Sequence, residues 1–206
     1  MILLAIALLS AYLLGSIPAS FLVAKAASGV DVRQYGSGNV GATNVLRTAG
    51  KLPGAIALLC DILKGVIAVT ALSGLFLRYS PIVDHESFRI LMGLSVICGH
   101  IWPVFLKFKG GKGVATSAGV LLILCPAALG AAAAVFFITV MVSKYVSLGS
   151  ILGSIVLPIT AALIGSPIQL VLFTITLCFI NCYKHSSNIV RLINGEEAKI
   201  GQQVNL

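Results

Sequence analysis

Charged residues are scarce in this sequence, and acidic residues are the scarcest. Only 10% of the 206 residues are charged, and six Asp and Glu stand against 14 Lys and Arg. With 58% hydrophobic residues and a mean hydropathy of +1.06, the chain is far more apolar than soluble domains are. This composition excludes a soluble protein and indicates an integral membrane protein, in which short polar loops must carry the chemistry.

Several chemical motifs are absent as well. No Cys-x-x-Cys occurs, and the five cysteines lie scattered in apolar runs, which indicates packing and not disulfides or metal ligation. Because the acidic residues also lack ligand spacing, we expect no metal site and no cofactor. The net charge of +8 is spread over short loops, which favours orientation in the membrane or phosphate binding over nucleic acid.

Long apolar runs predict membrane-spanning helices, since a crossing needs about 20 apolar residues. The runs are residues 2–24, 53–77, 89–106, 114–142, 147–164 and 167–183. The first run lacks a basic start, so we interpret it as a span and not as a signal peptide. The fourth is long for one crossing and is interrupted at Pro126, so it forms either one kinked helix or two short helices.

The distribution of basic residues decides between these alternatives. Residues 25–51, 107–112, 144 and 184–199 hold four, three, one and three basic residues, together 11 of the 14. Since Lys and Arg collect on cytoplasmic loops, all four segments reach one face only if two helices join near Pro126. The sequence therefore predicts a single-domain, all-α polytopic membrane protein over residues 1–206, with seven transmembrane helices, some short, its N-terminus outside and its C-terminus cytoplasmic.

The first basic segment contains an unusually polar stretch, QYGSGNVGATNVLR, at residues 34–47. We call residues 36–44 the first glycine segment. Its glycines allow backbone amides to face an anion, its hydroxyl groups add donors, and an arginine adds a charged fork. The candidate phosphate-binding residues are Gly36, Ser37, Gly38, Asn39, Thr43, Asn44 and Arg47. A flexible polar loop is the alternative, and the stretch matches neither the P-loop nor the dinucleotide fingerprint.

The second glycine segment, Gly110, Gly111, Lys112 and Gly113, precedes a predicted helix that begins at Val114. A lysine between glycines at a helix N-terminus combines amide hydrogens, the positive end of the helix dipole and an ammonium group. These four residues therefore form a second candidate phosphate site, and Lys112 is its strongest member.

Two further segments lie on the predicted cytoplasmic face. Ser147 and Ser150 stand at the start of the sixth span, where Ser147 is interpreted either as an N-cap or, with Ser150, as a phosphate contact. Residues 184–200 are amphipathic, with His185, Asn188 and Arg191 on one side, as is typical of a helix on the membrane surface.

Three ionisable residues lie inside the predicted spans. Asp61 and Lys64 are three positions apart on one helix face and close enough to pair, and we favour a structural ion pair over a functional one. His100 is explained equally well by a place in the core and by a catalytic role.

Three motifs of the sequence resemble those of a known protein family. They are Gly-Ser-Gly-Asn-x-Gly-Ala-Thr-Asn-x-x-Arg at 36–47, Gly-His-x-x-Pro-x-Phe leading into Gly-Gly-Lys-Gly at 99–113, and His-x-x-Asn-Ile-x-Arg-Leu-x-x-Gly-x-Glu-x-Lys at 185–199. In order and spacing they resemble the signature segments of the bacterial membrane acyl-phosphate:glycerol-3-phosphate acyltransferases, the PlsY family, and the match covers essentially the whole chain.

This resemblance implies a multi-pass enzyme of the bacterial inner membrane with its active site toward the cytoplasm. It implies transfer of a fatty acyl group from acyl phosphate to the 1-hydroxyl of sn-glycerol 3-phosphate, giving lysophosphatidic acid and phosphate, the first step of bacterial phospholipid synthesis. The expected partners are these two substrates and membrane lipid, without nucleic acid. The resemblance also implies catalytic and binding roles, which fall on Ser37, Thr43, Arg47, Lys112, Ser147 or Ser150, His185 and Asn188.

The expected chemistry needs little activation of the attacking hydroxyl. The His-x-x-x-x-Asp pair of soluble-type glycerolipid acyltransferases does not occur in the sequence. An acyl phosphate is a mixed anhydride whose phosphate leaves readily, so positioning and charge stabilisation can supply most of the rate. We expect direct transfer without an acyl-enzyme, with His185 or a substrate phosphate oxygen as the proton acceptor. The competing class is a membrane transporter for a phosphorylated solute, which Asp61 and Lys64 suggest, although no inverted repeat is visible.

Overall fold

The structure, a computed structural model, describes residues 1–78 and 84–201. Within these two ranges the chain forms eleven α-helices, one π-helix and one 3-10 helix, and no β-strand. The described residues divide into two compact units, residues 1–123 and 124–201. That one functional domain covers the whole chain stays a prediction.

The first unit holds seven of the described α-helices. They are α1 (Ile2–Ser16), α2 (Ala19–Ser28), α3 (Ala42–Thr48), α4 (Lys51–Ile67), α5 (Ser73–Leu77), α6 (His85–Ile101) and α7 (Val114–Leu124), the last ending at the unit boundary. Pro18 separates α1 from α2 because proline cannot donate a backbone hydrogen bond and excludes helical geometry in the residue before it. The π-helix Ala68–Leu72 joins α4 to α5 without a break.

Glycines set how closely the helices of this unit approach each other. Gly15 of α1 and Gly99 of α6 each face a backbone carbonyl of the other helix, where an added Cβ would collide. Gly65 of α4 and Gly119 of α7 meet in the same way. Small residues are typical of helix interfaces in membranes because they bring two backbones into contact. These contacts fix the helices that carry the polar residues described below.

The second unit holds the other four described α-helices. They are α8 (Pro126–Ser143), α9 (Val146–Leu163), α10 (Ile168–Lys184) and α11 (Ser186–Ile193). Pro126 is the first residue of α8, a position where the missing N–H has no helical partner to lose. The helical course therefore breaks at Cys125, as the interruption of the fourth apolar run predicted. Gly149 and Gly153 of α9 pack against backbone carbonyls of α8.

Within the described residues, five helical stretches are long and apolar enough to cross a membrane. They are Ile2–Ser28, Lys51–Leu77, His85–Leu106, Pro126–Ser143 and Val146–Leu163. A sixth is counted if α10 and α11, which are bent by 59°, form one span, and α7 is a shorter apolar helix. The all-helical, multi-pass membrane class is confirmed, whereas seven crossings and the sides of the two termini stay predictions.

Candidate active site

The first glycine segment is a loop that leads into α3. Gly36 and Gly38 have φ angles of 63° and 67°, a region that glycine reaches without steric cost. Ser37 lies between them and is exposed. Thr43 and Arg47 are one turn apart on α3. Local geometry thus places the predicted hydroxyl and guanidinium donors on one short stretch of chain.

Asn44 holds this loop in shape from inside. Its side chain is 2% exposed, and its amide nitrogen donates to the carbonyls of Val32 at 2.8 Å and Tyr35 at 3.1 Å. Its Oδ1 accepts the backbone N–H of Ser37 at 3.0 Å, and a Cβ on Gly36 would collide with that oxygen. Because the loop takes both amide hydrogens, the expected contact of Asn44 with phosphate is replaced by a structural role.

The second glycine segment lies against the end of α6 and against the first segment. The backbone N–H of Gly110 donates to the carbonyl of Ile101 at 3.2 Å, and that of Gly111 donates to the carbonyl of His100 at 3.1 Å. A Cβ on Gly111 would lie 2.7 Å from the carbonyl oxygen of Val40. The structure therefore brings the two glycine segments into contact, at Val40 and Gly111.

These hydrogen bonds correct one expectation about both segments. The backbone N–H of Gly38 donates to the carbonyl of Tyr35 at 3.1 Å, just as those of Gly110 and Gly111 donate to α6. The amides of these three glycines are therefore occupied within the chain. Phosphate binding by the other residues of the two segments stays a prediction.

Lys112 lies two residues before the start of α7 and is half-buried. Gly113, with φ of 85°, turns the chain into the helix, and its carbonyl accepts the backbone N–H of Ser117 at 2.8 Å. The lysine is thus placed next to the positive end of the helix dipole, as the sequence predicted.

A buried group of ionisable side chains lies beside the second glycine segment. Asp61, Lys64 and His100 are 1%, 6% and 7% exposed. Lys64 Nζ lies 2.8 Å from Asp61 Oδ1 and 2.8 Å from His100 Nδ1, and it donates to the carbonyl of Gly15 at 3.1 Å. Asp61 Oδ2 accepts a hydrogen bond from Ser20 Oγ at 3.1 Å. The predicted Asp61–Lys64 pair is confirmed, and His100 is its third member.

The second unit gathers polar side chains around the carboxylate of Glu197, which is 8% exposed. Ser147 Oγ and Asn188 Nδ2 donate to Oε1 at 2.7 Å and 2.6 Å, and Arg191 Nε donates to Oε2 at 2.8 Å. Burial acts to raise the pKa of this carboxyl. The three hydrogen bonds and the charge of Arg191 outweigh that effect and hold the pKa below its ordinary value.

Glu197 is the member of this cluster that sequence reasoning missed, because it was grouped with the scattered carboxylates. Its signal was its place in the third motif, nine residues after Asn188. The N-cap interpretation of Ser147 is wrong, since Tyr145 is the N-cap of α9 and the Ser147 hydroxyl binds Glu197. The Ser150 hydroxyl donates to the carbonyl of Val146 within the same helix, at 2.9 Å.

His185 lies where α10 ends and α11 begins, and it is 3% exposed. Its Nδ1 is 2.9 Å from the backbone carbonyl oxygen of Asn181. Since a carbonyl only accepts, this contact assigns the ring proton to Nδ1 and leaves the lone pair of the neutral ring on Nε2. His185 is thus in the tautomer that a proton acceptor at Nε2 requires.

The amphipathic helix predicted in the terminal segment is α11. His185 and Asn188 are buried on its polar side, whereas Val190 and Ile193 are 57% and 79% exposed. The exposed apolar side suits contact with lipid, and the position of α11 on the membrane surface stays a prediction.

Comparison with solved structures defines the class of protein first. PlsY (YgiH), an integral membrane glycerol 3-phosphate acyltransferase, has a crystal structure in a glycerol 3-phosphate form that matches at a TM-score of 0.85 and 37% identity, over 96% of both chains. Its lysophosphatidic acid form matches at 0.83 and 36% identity, over 96% of this chain and 95% of that one. The chain is therefore a membrane acyltransferase.

Sequence relatives give the family. The model of the glycerol-3-phosphate acyltransferase family matches residues 5–195. The glycerol-3-phosphate acyltransferase of Desulforamulus reducens is 47% identical over 197 residues, 95% of this chain and 94% of the relative. That of Bacillus subtilis (strain 168) is 42% identical over 199 residues, 96% and 98% of the two chains. The chain belongs to the glycerol-3-phosphate acyltransferase family, which confirms the resemblance of its three motifs.

Proposed function

We propose that this protein transfers a fatty acyl group from acyl phosphate to the 1-hydroxyl of sn-glycerol 3-phosphate, giving lysophosphatidic acid and phosphate. The observation that carries the proposal is the contact of the two glycine segments at Val40 and Gly111, since both substrates bear a phosphate. The solved relatives support it, because one form is named for glycerol 3-phosphate and the other for lysophosphatidic acid.

In this proposal, phosphate is bound by side chains. Arg47 and Lys112 neutralise its charge, and the hydroxyl groups of Ser37 and Thr43 align it. Charge-assisted hydrogen bonds of this kind are stronger than neutral ones, and Arg offers a fork that matches two oxygens. We also assign a role in the reaction to Ser147 and Ser150, and Ser147 is oriented by its bond to Glu197.

Acyl transfer itself needs one bond made and one broken. The 1-hydroxyl oxygen bonds to the acyl carbonyl carbon, the bond from that carbon to the phosphate oxygen breaks, and phosphate leaves with the electron pair. We assign the hydroxyl proton to Nε2 of His185, because the contact of Nδ1 with Asn181 leaves the lone pair there. Asn188, oriented by Glu197, helps to hold the glycerol.

We also propose the membrane arrangement that the basic residues predict. The chain crosses the bacterial inner membrane seven times as one functional domain, with the N-terminus outside and both the C-terminus and the active site toward the cytoplasm. The helix break at Cys125 supports two short crossings in place of one long one. Single cysteines at positions 144 and 184, in a variant without native cysteines, should react with an impermeant thiol reagent only from the cytoplasmic side. Labelling only from outside would reject this arrangement.

One assay tests the reaction. Purified protein in detergent receives acyl phosphate and glycerol 3-phosphate, and both phosphate and lysophosphatidic acid are measured. We expect the two products to appear in equal amounts and only when glycerol 3-phosphate is present. Phosphate release that does not depend on glycerol 3-phosphate would contradict the proposal, and a trapped acyl adduct on the protein would contradict direct transfer.

A further inference from the structure

The buried group of Asp61, Lys64 and His100 takes no part in the mechanism above, yet it lies inside two candidate spans. Ionisable residues in a membrane are costly. A buried ion pair is also often no more stabilising than apolar residues of the same size. Stability alone therefore does not account for the group.

Lys64 is paired within the protein. Its ammonium forms an ion pair with Asp61 Oδ1 at 2.8 Å, donates to the Gly15 carbonyl and lies 2.8 Å from His100 Nδ1. His100 Nδ1 lies 2.8 Å from the Lys64 ammonium, which only donates, and 3.4 Å from Asp61 Oδ1, so the shorter contact assigns the lone pair to Nδ1 and the ring hydrogen to Nε2. Asp61 balances the charge of Lys64 and is itself held by Ser20.

The fixed imidazole lies against the second glycine segment. His100 Nε2 is next to Gly111, where a Cβ would collide with it, and the His100 carbonyl accepts the Gly111 N–H. Gly111 thus touches His100 through both the ring and the backbone. A small cavity is lined by Lys64, His100, Gly111 and also Val40 of the first segment. The next residue in the chain is Lys112.

We propose that Asp61, Lys64 and His100 form a positioning relay, in which the ion pair fixes the imidazole and the imidazole holds Gly110–Gly111, and with it Lys112, in place for the substrate phosphate. The inference rests on the proposed function and adds His100 to it as a positioning residue. It also explains the intramembrane charges without a solute pathway, since the Lys64 ammonium is paired with the Asp61 carboxylate.

The double variant D61L/K64M tests the relay by removing both charges together. Affinity for glycerol 3-phosphate is measured by calorimetry, and KM and kcat are measured by product formation. The midpoint of unfolding is measured in detergent. We expect the unfolding midpoint of the double variant to equal or exceed that of the wild type. Affinity should fall and KM rise by about fivefold or more, the scale of one lost hydrogen bond, and kcat should fall by less than in K112A because Lys112 is displaced but still present. Unchanged affinity and KM would overturn the inference.

Ser95→Ala is the matched control, because Ser95 also lies on α6 and donates to a carbonyl of α1, that of Leu8, at 2.6 Å. It removes a helix-to-helix hydrogen bond outside the relay. We expect its affinity for glycerol 3-phosphate to stay within about twofold of the wild type. A loss as large as that of D61L/K64M would show a general effect of helix packing and would overturn the inference.

A second pair of variants keeps the test valid if the double variant does not fold. Gln at position 100 can place an amide N–H near the position of Nε2, whereas Asn places its amide near that of Nδ1. We expect H100Q to keep the affinity within about threefold and H100N to lose about fivefold or more. Equal affinities, or the reverse order, would overturn the relay. If the wild type binds glycerol 3-phosphate but forms no product, the proposed function fails separately from the relay.

Discussion

Two buried histidines, one in each unit, have opposite hydrogen-bonding arrangements. His100 Nδ1 faces the ammonium of Lys64 and accepts, whereas His185 Nδ1 faces the carbonyl of Asn181 and donates. Nε2 therefore carries a hydrogen in His100 and a lone pair in His185. One side-chain type is thus fixed beside a glycine segment in the first unit by its Nδ1, and in the second it is held in the tautomer that the proposed proton acceptor requires.

The carboxylates of the two units differ in a related way. Asp61 pairs with a cation three residues along its own helix and ties in a neighbouring α-helix through Ser20. Glu197 lies beyond the last described helix and collects donors from Ser147 of α9 and from Asn188 and Arg191 of α11. The first carboxylate supports residues inside a span, and the second holds a terminal segment against the helices. Each can therefore be altered without touching the other.

The same substitution at both histidines gives the sharpest test of this comparison. H185Q removes the acceptor at Nε2, and we expect kcat to fall by about 10²-fold or more, the scale of general base catalysis. H100Q retains an N–H near Nε2 and should cost only a few-fold, mostly in KM. Both are measured by lysophosphatidic acid formation under saturating acyl phosphate. Equal losses in kcat would show that the two tautomers do not set the two roles.

Substitution of Lys112 tests whether this lysine stabilises the charge that develops in the transition state. We expect K112A to lower turnover by about 10²-fold, since removal of one donor to a transition-state oxyanion costs that much. The control is K109A, because Lys109 is an exposed lysine three residues earlier. Phosphate release gives the rates, and a K112A rate near that of the wild type would refute the assignment.

Substitution of Glu197 tests whether its carboxylate stabilises the second unit. E197Q leaves Arg191 facing a neutral amide, and we expect a loss of about 1–3 kcal/mol in the free energy of unfolding. The neighbouring Glu196 is exposed, so E196Q should stay within about 0.5 kcal/mol of the wild type. Both are measured by unfolding in detergent, and similar losses for the two variants would contradict the role of Glu197.

The lowered pKa of Glu197 adds a pH dependence to that test. A carboxyl whose pKa is lower in the folded than in the unfolded chain stabilises the fold above its ordinary pKa of 4.5. This stabilisation is lost as the pH falls through the folded pKa. The unfolding free energies of the wild type and E197Q should therefore converge in acid, and a constant difference from pH 7 to pH 3 would argue against it.

Substitution of Gly36 or Gly29 by alanine has the smallest expected effect, and the two variants form a matched pair. Their φ angles are 63° and 70°, but a Cβ on Gly36 would collide with Asn44, whereas nothing lies within 4 Å of one on Gly29. We expect G29A to cost about 1 kcal/mol from backbone strain alone, and G36A to cost more and to raise KM for glycerol 3-phosphate. Unfolding and kinetic measurements check both, and equal costs would show that the Asn44 contacts are dispensable.

Features that depend on local spacing were predictable from the sequence. Apolar runs and Pro126 predicted the helices and the break before α8, and the three-residue spacing predicted the Asp61–Lys64 pair. Hydropathy placed the start of the third span at residue 89, whereas α6 begins at His85 because Asp84 Oδ1 caps it by accepting the Ser87 N–H at 2.9 Å. Capping depends on one hydrogen bond, which an average over a window does not contain.

Contacts between distant parts of the chain were not predictable in this way. His100 meets Lys64 across 36 residues, and Ser147 meets Glu197 across 50. Such pairs depend on how closely the helices approach each other. That distance is set by backbone contacts at glycines. The occupied amides of Gly110 and Gly111 follow from the same packing, which a glycine-rich motif alone does not reveal.

The π-helix Ala68–Leu72 has a consequence for chain length. A π turn holds one residue more than an α turn, so the span contains an extra residue between Lys64 and Ser73. Ser73 is fully buried, and its hydroxyl donates to the carbonyl of Val69 at 2.8 Å. Because the wider turn absorbs the extra residue, deleting one residue here would restore a regular α-helix and leave Ser73 on nearly the same face relative to Lys64. The π turn therefore lets the span hold one additional residue while the polar residues on either side keep their register.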